Sequence, residues 1–468
     1  MQFKMLGDED IGKIHETALV ILESIGMQVA GDEARGILLS AGAQEKNGRL
    51  LLDSRLIEQA LSSVPQNGFE VAGRDRKVRY RIAPGTVRFR PAGGLPFVYD
   101  TVSKRRRPAT LEDGRAIARL IDGLEDIDVA NCAASPAEIG VGIHNVRRFA
   151  IAIEESIKPA DITASGPDEV RTVAEIARLF RRDDKDLRDA PPVVVYVSPT
   201  SPMRLSEQEA LATIECARQG LPLAPLSCPS LAATAPVTVA GAVAQEWAEE
   251  LFQIVLAYAV RPGLPVVACN RINPVDMRRG NTVFYGAAPA LSAAAFTEVA
   301  RRFGLPANSW GFSSASHLPD LQAGAERMLG ALVAALPGTA VISGAGALSS
   351  ALITSAEQLV VDNEIAGLVR QTLQGVEVSS ESLASEYLED GIAEGTFLTS
   401  EHTLRMLQSG KLSMPEVFTL EPYETWAENP AELFDRAKSR VDQILGARQA
   451  PDPKLSQEIE RILAAVGA

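Results

Sequence analysis

The feature of this 468-residue sequence that most restricts its fold is the alternation of short apolar segments with longer helical patterns. Eight apolar segments suit a strand: residues 87–91, 127–132, 160–164, 193–198, 221–226, 265–270, 309–313 and 339–343. Helical patterns lie between them, among them residues 111–124, 168–180, 206–218, 240–259, 292–303, 320–336 and 356–373. Because parallel strands need crossover helices, this order predicts a parallel sheet.

Two features favour a closed barrel over an open, doubly wound sheet. The strand number of eight is that of a TIM (β/α)8 barrel, and no G-x-G-x-x-G pattern opens a helix after the first strand. Gly344-Ala345-Gly346 is interpreted as a tight turn at the barrel rim. We therefore predict an α/β fold with a TIM (β/α)8 barrel at residues 83–375. An N-terminal cap of helices and strands is predicted at residues 1–82, and a C-terminal helical extension at residues 376–468.

The two terminal regions have patterns of their own. In the first, helices are predicted at residues 8–25, 32–40 and 53–62, with a strand at 49–52 and Gly26 as the C-cap of the first helix. In the second, helices are predicted at residues 381–389, 402–407, 431–445 and 454–466.

Charge and hydropathy exclude several classes of protein. The 46 Lys and Arg residues against 60 Asp and Glu give a net charge of −14, which argues against a nucleic-acid binder. The one basic run, Lys104–Arg107, is interpreted as a solvated turn. Two sparsely charged stretches, residues 219–245 and 328–356, are interrupted by Pro and Gly, so neither predicts a membrane span. With no apolar segment after Met1, we expect a cytoplasmic protein.

The cysteines and histidines predict neither a disulfide framework nor a metal site. The four cysteines form no C-x-x-C pair, and the four histidines show no ligand spacing. His15 and His144 fall in helical patterns and are interpreted as structural.

Chemistry in a barrel of this type gathers where the strands end. The predicted ends carry small, hydroxyl-bearing and amide-bearing residues with a few aromatics: Phe89, Asn131, Cys132, Ser198, Ser227, Asn270, Arg271, Trp310, Phe312, Ser313 and Ser343. No pair of carboxylates suggests a glycosidase, and no lysine suggests a Schiff base. Such a rim suits a substrate that is held and presented to a reagent that supplies the hard chemistry.

Several of these residues have two interpretations, which the sequence leaves open. His317, in the loop after the seventh strand, either contacts the substrate as an acid or gate, or is a hydrogen-bonded loop residue. Trp310 and Phe312 alternate, so both can fill the barrel core or begin an aromatic wall for a cation. Arg271 can bind a substrate carboxylate or be solvated.

Eight ordered blocks carry a resemblance to a known family: residues 10–16 (DIGKIHE), 92–100 (AGGLPFVYD), 107–113 (RPATLED), 197–202 (VSPTSP), 233–238 (ATAPVT), 319–324 (PDLQAG), 343–346 (SGAG) and 397–403 (FLTSEHT). Together they resemble the trimethylamine methyltransferase family, and in particular its members that lack pyrrolysine. The resemblance implies a TIM barrel that moves a methyl group from a methylated amine to the cobalt of a corrinoid protein. The family's pyrrolysine position falls near Ser316–His317, where this chain has ordinary residues.

That departure favours a quaternary amine such as glycine betaine as the methyl donor. A quaternary ammonium leaves as a neutral amine when cobalt(I) attacks its methyl group, so it needs no proton. We therefore predict a betaine:corrinoid methyltransferase of one-carbon metabolism that binds no cofactor tightly itself and acts with a corrinoid-binding protein. The alternatives are demethylation of another amine or a sulfonium, coupled to a folate in one version, or non-catalytic binding of a quaternary amine.

The site residues follow from the strand ends together with this resemblance. His317 is the catalytic candidate, and the candidates for substrate binding are Phe89, Tyr99, Asn270, Arg271, Tyr285, Trp310, Phe312, Ser313 and Ser343. No metal ligand is predicted in the chain. Apolar helices on the outside of the barrel favour a homo-oligomer.

Overall fold

The structure, a computed structural model, describes residues 4–409, 415–448 and 451–466, and has a mixed α/β fold. Its helices are α1 (Asp8–Val20), α2 (Asp32–Ala41), α3 (Ser54–Ser63), α4 (Leu111–Gly123), α5 (His144–Glu155), α6 (Pro167–Arg178), α7 (Asp184–Asp189), α8 (Glu207–Gln219), α9 (Val239–Val260), α10 (Ala287–Arg302), α11 (Leu321–Ala335), α12 (Ala356–Gln374), α13 (Leu388–Glu394), α14 (Glu401–Gln408), α15 (Tyr423–Glu428), α16 (Leu433–Ala447) and α17 (Pro453–Val466). A π-helical turn, Ile21–Ile25, continues α1 to the predicted cap at Gly26, and short 3₁₀ turns cover Val141–Ile143 and Ser385–Tyr387.

Seven parallel strands form the centre of the molecule: β1 (Arg88–Pro91), β2 (Ala160–Thr163), β3 (Val193–Val197), β4 (Leu223–Pro225), β5 (Ala268–Asn270), β6 (Ala307–Trp310) and β7 (Val341–Ala345). They make two sheets, ordered β4-β3-β2 and β5-β6-β7-β1. The parallel pairing predicted from the alternation is confirmed within each sheet.

Contacts of single residues connect the two sheets. Leu223 of β4 bridges Val266, just before β5, and Ala130 bridges Ala160 of β2. The backbone N–H of Asp128 donates to the carbonyl of Phe89 in β1 at 2.8 Å. Residues 127–132 therefore lie between β1 and β2, at the place predicted for the second strand.

The prediction of a full strand at residues 127–132 is nevertheless wrong. The Asp128 carboxylate accepts the N–H of Phe89 at 2.7 Å, so a side chain replaces the backbone carbonyl that a regular ladder would use. The last two predicted strands are also displaced by two or three residues. Gly311 and Phe312 both donate to the carbonyl of Ser343, which ends the ladder at Trp310.

Of the short paired strands outside the two sheets, only the one at residues 49–52 was predicted. They are Gln28–Val29 with Arg204–Leu205, Phe69–Ala72 with Arg79–Ile82, Phe97–Asp100 with Arg105–Pro108, Ala347–Leu348 with Ile353–Thr354, Ser230–Leu231 with Asn273–Asp276 and Asn281–Thr282, and the pair formed by the predicted strand, Gln44–Lys46 with Arg49–Leu51. The basic run is exposed as expected, but only Lys104 lies in a turn, since Arg105–Pro108 is a strand.

The predicted helix at residues 381–389 begins later than expected. Ser382 Oγ donates to the carbonyl of Glu377 at 2.8 Å, and the Ser382 N–H donates to Ser379 Oγ at 3.1 Å. These local hydrogen bonds compete with the helix, so α13 starts only at Leu388.

The N-terminal region packs on α9, the longest of the described helices. Trp247 of α9 is fully buried, stacks on Phe303 and donates its indole N–H to His15 Nδ1 of α1 at 3.0 Å. None of the described helices is long and apolar enough to cross a membrane. The division into residues 1–82, 83–375 and 376–468 stays a prediction.

A fully buried ion pair fixes the loops after β6 and β7. Arg327 of α11 donates to Asp362 of α12 at 2.6 Å, to the carbonyl of Phe312 at 2.9 Å and to the carbonyl of Ala347. Asp362 also accepts the N–H of Gly346 at 2.6 Å. The pair therefore satisfies backbone groups in the two loops and fixes them to α11 and α12.

We expect Arg327→Met to lower the free energy of unfolding by about 3–5 kcal/mol, because it leaves a buried carboxylate without its partner. Denaturant unfolding measures this loss. Arg327→Met combined with Asp362→Leu should recover part of it, and Lys185→Met, which removes an exposed ion pair, should leave the midpoint unchanged. A loss below about 1 kcal/mol for Arg327→Met would contradict the assignment.

Acid should destabilise the packing of α1 on α9. Burial lowers the pKa of His15 to about 4, and its Nδ1 accepts a hydrogen bond only when unprotonated. The unfolded chain binds a proton below its ordinary pKa of about 6.5, so stability should fall as the pH drops from about 6.5 to about 4. His15→Gln should remove this part of the pH dependence in thermal unfolding, whereas His402→Gln should not.

Candidate active site

A cavity of about 100 Å³ opens at the carboxyl ends of the parallel strands. It is lined by Arg90, Gly93, Asn131, Cys132, Asn145, Arg148, Phe149, Asp161, Ile162, Thr163, Tyr196, Leu226, Arg271 and Trp310. Because the carboxyl ends of neighbouring parallel strands lie at the same edge of a sheet, residues far apart in sequence converge here.

The centre of the cavity is an ion pair between β1 and β2. Two nitrogens of the Arg90 guanidinium donate to the Asp161 carboxylate, one of them at 2.8 Å, and Asn131 Nδ2 donates to Asp161 Oδ1 at 2.5 Å. Burial alone would lower the pKa of Arg90, but the charge of Asp161 and its hydrogen bonds outweigh burial and raise it. The Arg90 guanidinium therefore stays charged.

A second network holds Arg271, the residue after β5. Its Nη1 donates to the carbonyl of Asn270 at 2.6 Å and its Nη2 to Asn308 Oδ1 at 2.5 Å. Ser343 Oγ donates to the same Asn308 oxygen at 3.1 Å, and Asn308 Nδ2 donates to the Tyr196 hydroxyl at 2.8 Å. This network fixes the guanidinium of Arg271 across β3, β6 and β7.

Glu246 of α9 supports Arg271 from behind. One carboxylate oxygen accepts the backbone N–H of Arg271 and the other accepts Asn270 Nδ2, both at 2.7 Å. Glu246 is fully buried, and burial raises its pKa well above the ordinary value. The position of Arg271 thus depends on a carboxyl group that lies outside the cavity.

Arg148 of α5 enters the cavity from its side. Its Nε and Nη2 donate to the carbonyl of Cys132 at 3.2 and 2.8 Å. Its Nη1 has no acceptor among the described residues, and burial lowers the pKa of the group. A Cβ added at Gly94 would lie 3.2 Å from this Nη1, and one at Gly93 would lie 3.1 Å from Asn131 Nδ2. The two glycines therefore leave room for the guanidinium.

The charge of the cavity is positive. Three guanidiniums line it, and Asp161 is its one carboxylate. Within the described residues, the guanidinium nitrogens of Arg148 and Arg271 form no ion pair with a carboxylate, although Glu246 accepts the backbone N–H of Arg271. The aromatic faces are taken by arginines, since Arg90 lies 4.9 Å from the Tyr196 ring centre and Arg271 lies 5.3 Å from that of Trp310. The arrangement suits an anionic group of a ligand.

The structure brings some of the predicted site residues together. Arg271 and Trp310 line the cavity, and Asn270 and Ser343 lie in the network that holds Arg271. Tyr285 is exposed, and its neighbour Phe284 contacts Trp310 with ring centres 5.9 Å apart.

The remaining candidates lie elsewhere. Phe89 and Phe312 are fully buried and contact each other with ring centres 5.7 Å apart, which is the core interpretation. Tyr99 packs on Phe434. His317 does not line the cavity: it is exposed in the loop after β6, with Nδ1 2.8 Å from Ser349 Oγ. Ser313 Oγ is buried without a hydrogen-bond partner among the described residues.

Sequence reasoning missed Arg90, Arg148, Asp161 and Tyr196 as site residues. A signal was present for two of them, because Arg90 and Asp161 are opposite charges inside segments predicted as buried strands. Arg148 had no such signal: a helix was predicted around His144, but nothing in its pattern shows which side chain faces the cavity. Among the described residues, no three His, Cys, Asp or Glu side chains form a group that could hold a metal ion.

Convergent polar groups at the carboxyl edge of a parallel sheet are typical of α/β enzymes that act on small molecules. Comparison with known proteins identifies the family. The chain matches the family model described as trimethylamine methyltransferase (MTTB) over residues 1–466, and it belongs to that family. This confirms the resemblance and the prediction of a methyltransferase.

Two relatives align along nearly their whole length. The chain is 27 % identical to the glycine betaine methyltransferase of Desulfitobacterium hafniense over 470 residues, which covers 100 % of this chain and 98 % of the relative. It is 29 % identical to the trimethylamine methyltransferase MttB2 of Methanosarcina mazei over 480 residues, or 99 % and 95 % of the two chains. The crystal structure of the Methanosarcina barkeri monomethylamine methyltransferase aligns with a TM-score of 0.47 at 13 % identity, over 93 % of this chain and 94 % of that one.

Proposed function

We propose that this protein transfers a methyl group from a small quaternary amine bearing a carboxylate, of the glycine betaine type, to the cobalt of a corrinoid carried by a partner protein. The observation that carries the proposal is the positive charge of the cavity. Family membership supports the methyl transfer, and the name of the glycine betaine methyltransferase relative supports the donor class.

The carboxylate of the donor binds Arg148 in this proposal. Arg148 Nη1 is a charged donor in the cavity that no described residue accepts from, and Arg271 adds a second positive charge. Trimethylamine has no anionic group to offset these charges. A free cation would have to enter beside three guanidiniums, two of which already cover the aromatic rings of Tyr196 and Trp310. The cavity therefore favours a betaine over trimethylamine.

Anchoring the carboxylate orients the other end of the donor. With the carboxylate held by Arg148, the trimethylammonium group points toward the mouth of the cavity. There a methyl carbon can meet the cobalt in line with its C–N bond. The C–N bond breaks, its electron pair stays on nitrogen, and the methyl group joins the reduced cobalt. The product is a neutral tertiary amine, so the chain supplies no proton at this step.

The size of the cavity supports an acceptor that stays outside it. About 100 Å³ takes a small molecule but not a corrin ring. The corrinoid is thus a substrate presented by the partner protein at the mouth, and the chain itself holds no tightly bound cofactor. The exposed His317 lies in a rim loop, where a contact with the donor or the acceptor stays a prediction.

We also propose that the eight central segments close a TIM (β/α)8 barrel. Three contacts support closure. The bridge of Ala130 to Ala160 and the bond from Asp128 to Phe89 together join β2 to β1 through residues 127–132, and the bridge of Leu223 to Val266 joins β4 to the residues just before β5. The proposed barrel covers residues 83–375, between the N-terminal cap and the C-terminal extension. The cytoplasmic location stays a prediction.

Glycine betaine should methylate reduced free cobalamin in the presence of this protein, and the cobalt absorbance spectrum measures the reaction. Trimethylamine should react far more slowly, because it lacks the carboxylate that the cavity binds. A carboxylate-bearing sulfonium in the same assay tests the alternative donor class. Absence of a spectral change with every betaine tried, at protein concentrations where the ligand binds in calorimetry, would favour the non-catalytic alternative and contradict the proposal.

Arg148→Met should raise the KM for glycine betaine by about tenfold or more, since a charge-assisted hydrogen bond contributes about 1.5–3 kcal/mol. Arg148→Lys should lose less, because it keeps the charge. Arg147→Met is the matched control, since Arg147 precedes it on the same helix and pairs with Glu460 instead. An equal KM for Arg148→Met and Arg147→Met would assign the carboxylate to another residue.

A further inference from the structure

Residues 376–409, which we call the arm, leave the end of α12 with almost no core of their own. Gly391 is the one buried residue among them. Large apolar side chains are exposed along the whole arm: Val376, Val378, Leu383, Leu388, Ile392, Phe397, Leu398, Leu404 and Leu407. So many exposed large apolar side chains within 34 residues favour an interaction site.

The hydrogen bonds described for the arm stay within it. His402 Nε2 lies 2.9 Å from the carbonyl of Glu381, and Arg405 donates to the Tyr387 hydroxyl at 3.2 Å. None of the arm's apolar side chains belongs to a hydrophobic cluster of the described core. A segment of this length cannot bury enough apolar surface to stay folded by itself, so a partner surface must supply the rest.

The arm begins at the end of the molecule opposite to the cavity. Helix α12 follows β7 and runs back from the carboxyl edge of the sheet. Near its end, Arg370 pairs with Asp126 at 3.2 Å, just before the segment that lies between β1 and β2. A corrinoid protein docked at the mouth would therefore be far from the start of the arm of the same copy.

The charge of the arm identifies a complementary surface on this same chain. The arm has seven acidic residues and one basic residue. Within the described residues, Glu386, Glu389 and Asp390 form no ion pair. Residues 97–108, which we call the basic hairpin, are the strands Phe97–Asp100 and Arg105–Pro108 with the turn between them, and they carry four basic residues and one acidic residue. Its Lys104 and Arg105 are exposed and have no ion-pair partner in the described part of the chain.

We propose that the arm docks on the basic hairpin of a second copy of this chain, reciprocally, in an antiparallel dimer. The basic hairpin follows β1 at the cavity end, whereas the arm begins at the other end. Two copies in antiparallel orientation bring each arm beside the partner's hairpin, which is a closed, two-fold contact. The apolar arm residues and the exposed Val102 at the hairpin tip supply the buried area.

Two charge-reversed variants test the contact. The hairpin variant is Lys104→Glu with Arg105→Glu, and the arm variant is Glu389→Lys with Asp390→Lys. The wild-type chain should be a dimer in light scattering at low ionic strength. Each variant alone should dimerise at least about tenfold more weakly, because like charges face each other in both contacts. A mixture of the two should form the heterodimer with near wild-type affinity, since opposite charges then meet in both contacts.

The mixture separates a lost contact from lost folding, because a misfolded variant would not be rescued by its counterpart. Leu388→Asp with Leu404→Asp should also weaken the dimer, whereas Leu39→Asp, at an exposed apolar site on α2, should not. A monomeric wild-type chain, an unchanged dimer in both variants, or a mixture that fails to associate would each overturn the proposal. None of these measurements uses a methyl donor or a corrinoid, so the result is independent of the proposed function.

Discussion

The buried ion pair between Arg90 and Asp161 joins the two parallel sheets where the cavity begins. Arg90 ends β1, Asp161 lies in β2, and Asn131 donates to the same carboxylate from the segment between them. Taking both charges out of water costs several kcal/mol for each ion, and their attraction offsets this only with full hydrogen bonding. The pair is therefore weak evidence for stability and stronger evidence for a fixed geometry at the cavity.

Asp161 neutralises one of the three guanidiniums, and the surplus charge is maintained by groups outside the cavity. Glu246 accepts hydrogen bonds from the backbone of Arg271 and the side chain of Asn270. Because burial raises the pKa of Glu246, this carboxyl group offsets the positive charge of the cavity less than an exposed carboxylate would. Arg148 is bonded to backbone carbonyls rather than to a carboxylate. Two of the three arginines therefore have no carboxylate partner for their guanidinium groups. Their charge is left to bind an anion.

Local sequence signals predicted much of the fold because they act over a few residues. Capping boxes begin α4 at Thr110 and α8 at Ser206. The short run of valines in β3 is typical of a parallel strand that is buried on both faces. The site was harder to predict, since it depends on long-range pairing: Arg271 and Trp310 follow from strand ends, but Arg148 depends on α5 and Asp161 on its contact with Arg90. The strand missing at residues 127–132 has the same cause, because the Asp128 carboxylate caps the Phe89 N–H.

One continuous loop connects the cavity with the molecular surface. Gly93 and Gly94 lie against Arg148, and Leu95 then exchanges backbone bonds of 2.8 Å with Ala133 and Ser135, which fixes the loop to the segment that carries Asn131. The chain continues directly into Phe97–Asp100, the first strand of the basic hairpin. The sequence block at residues 92–100 thus meets two structural requirements. Gly93 and Gly94 leave room for the guanidinium of Arg148, and the residues from Phe97 onward form an extended strand. A substitution in this block acts on the cavity through backbone position, even where its side chain never touches a ligand.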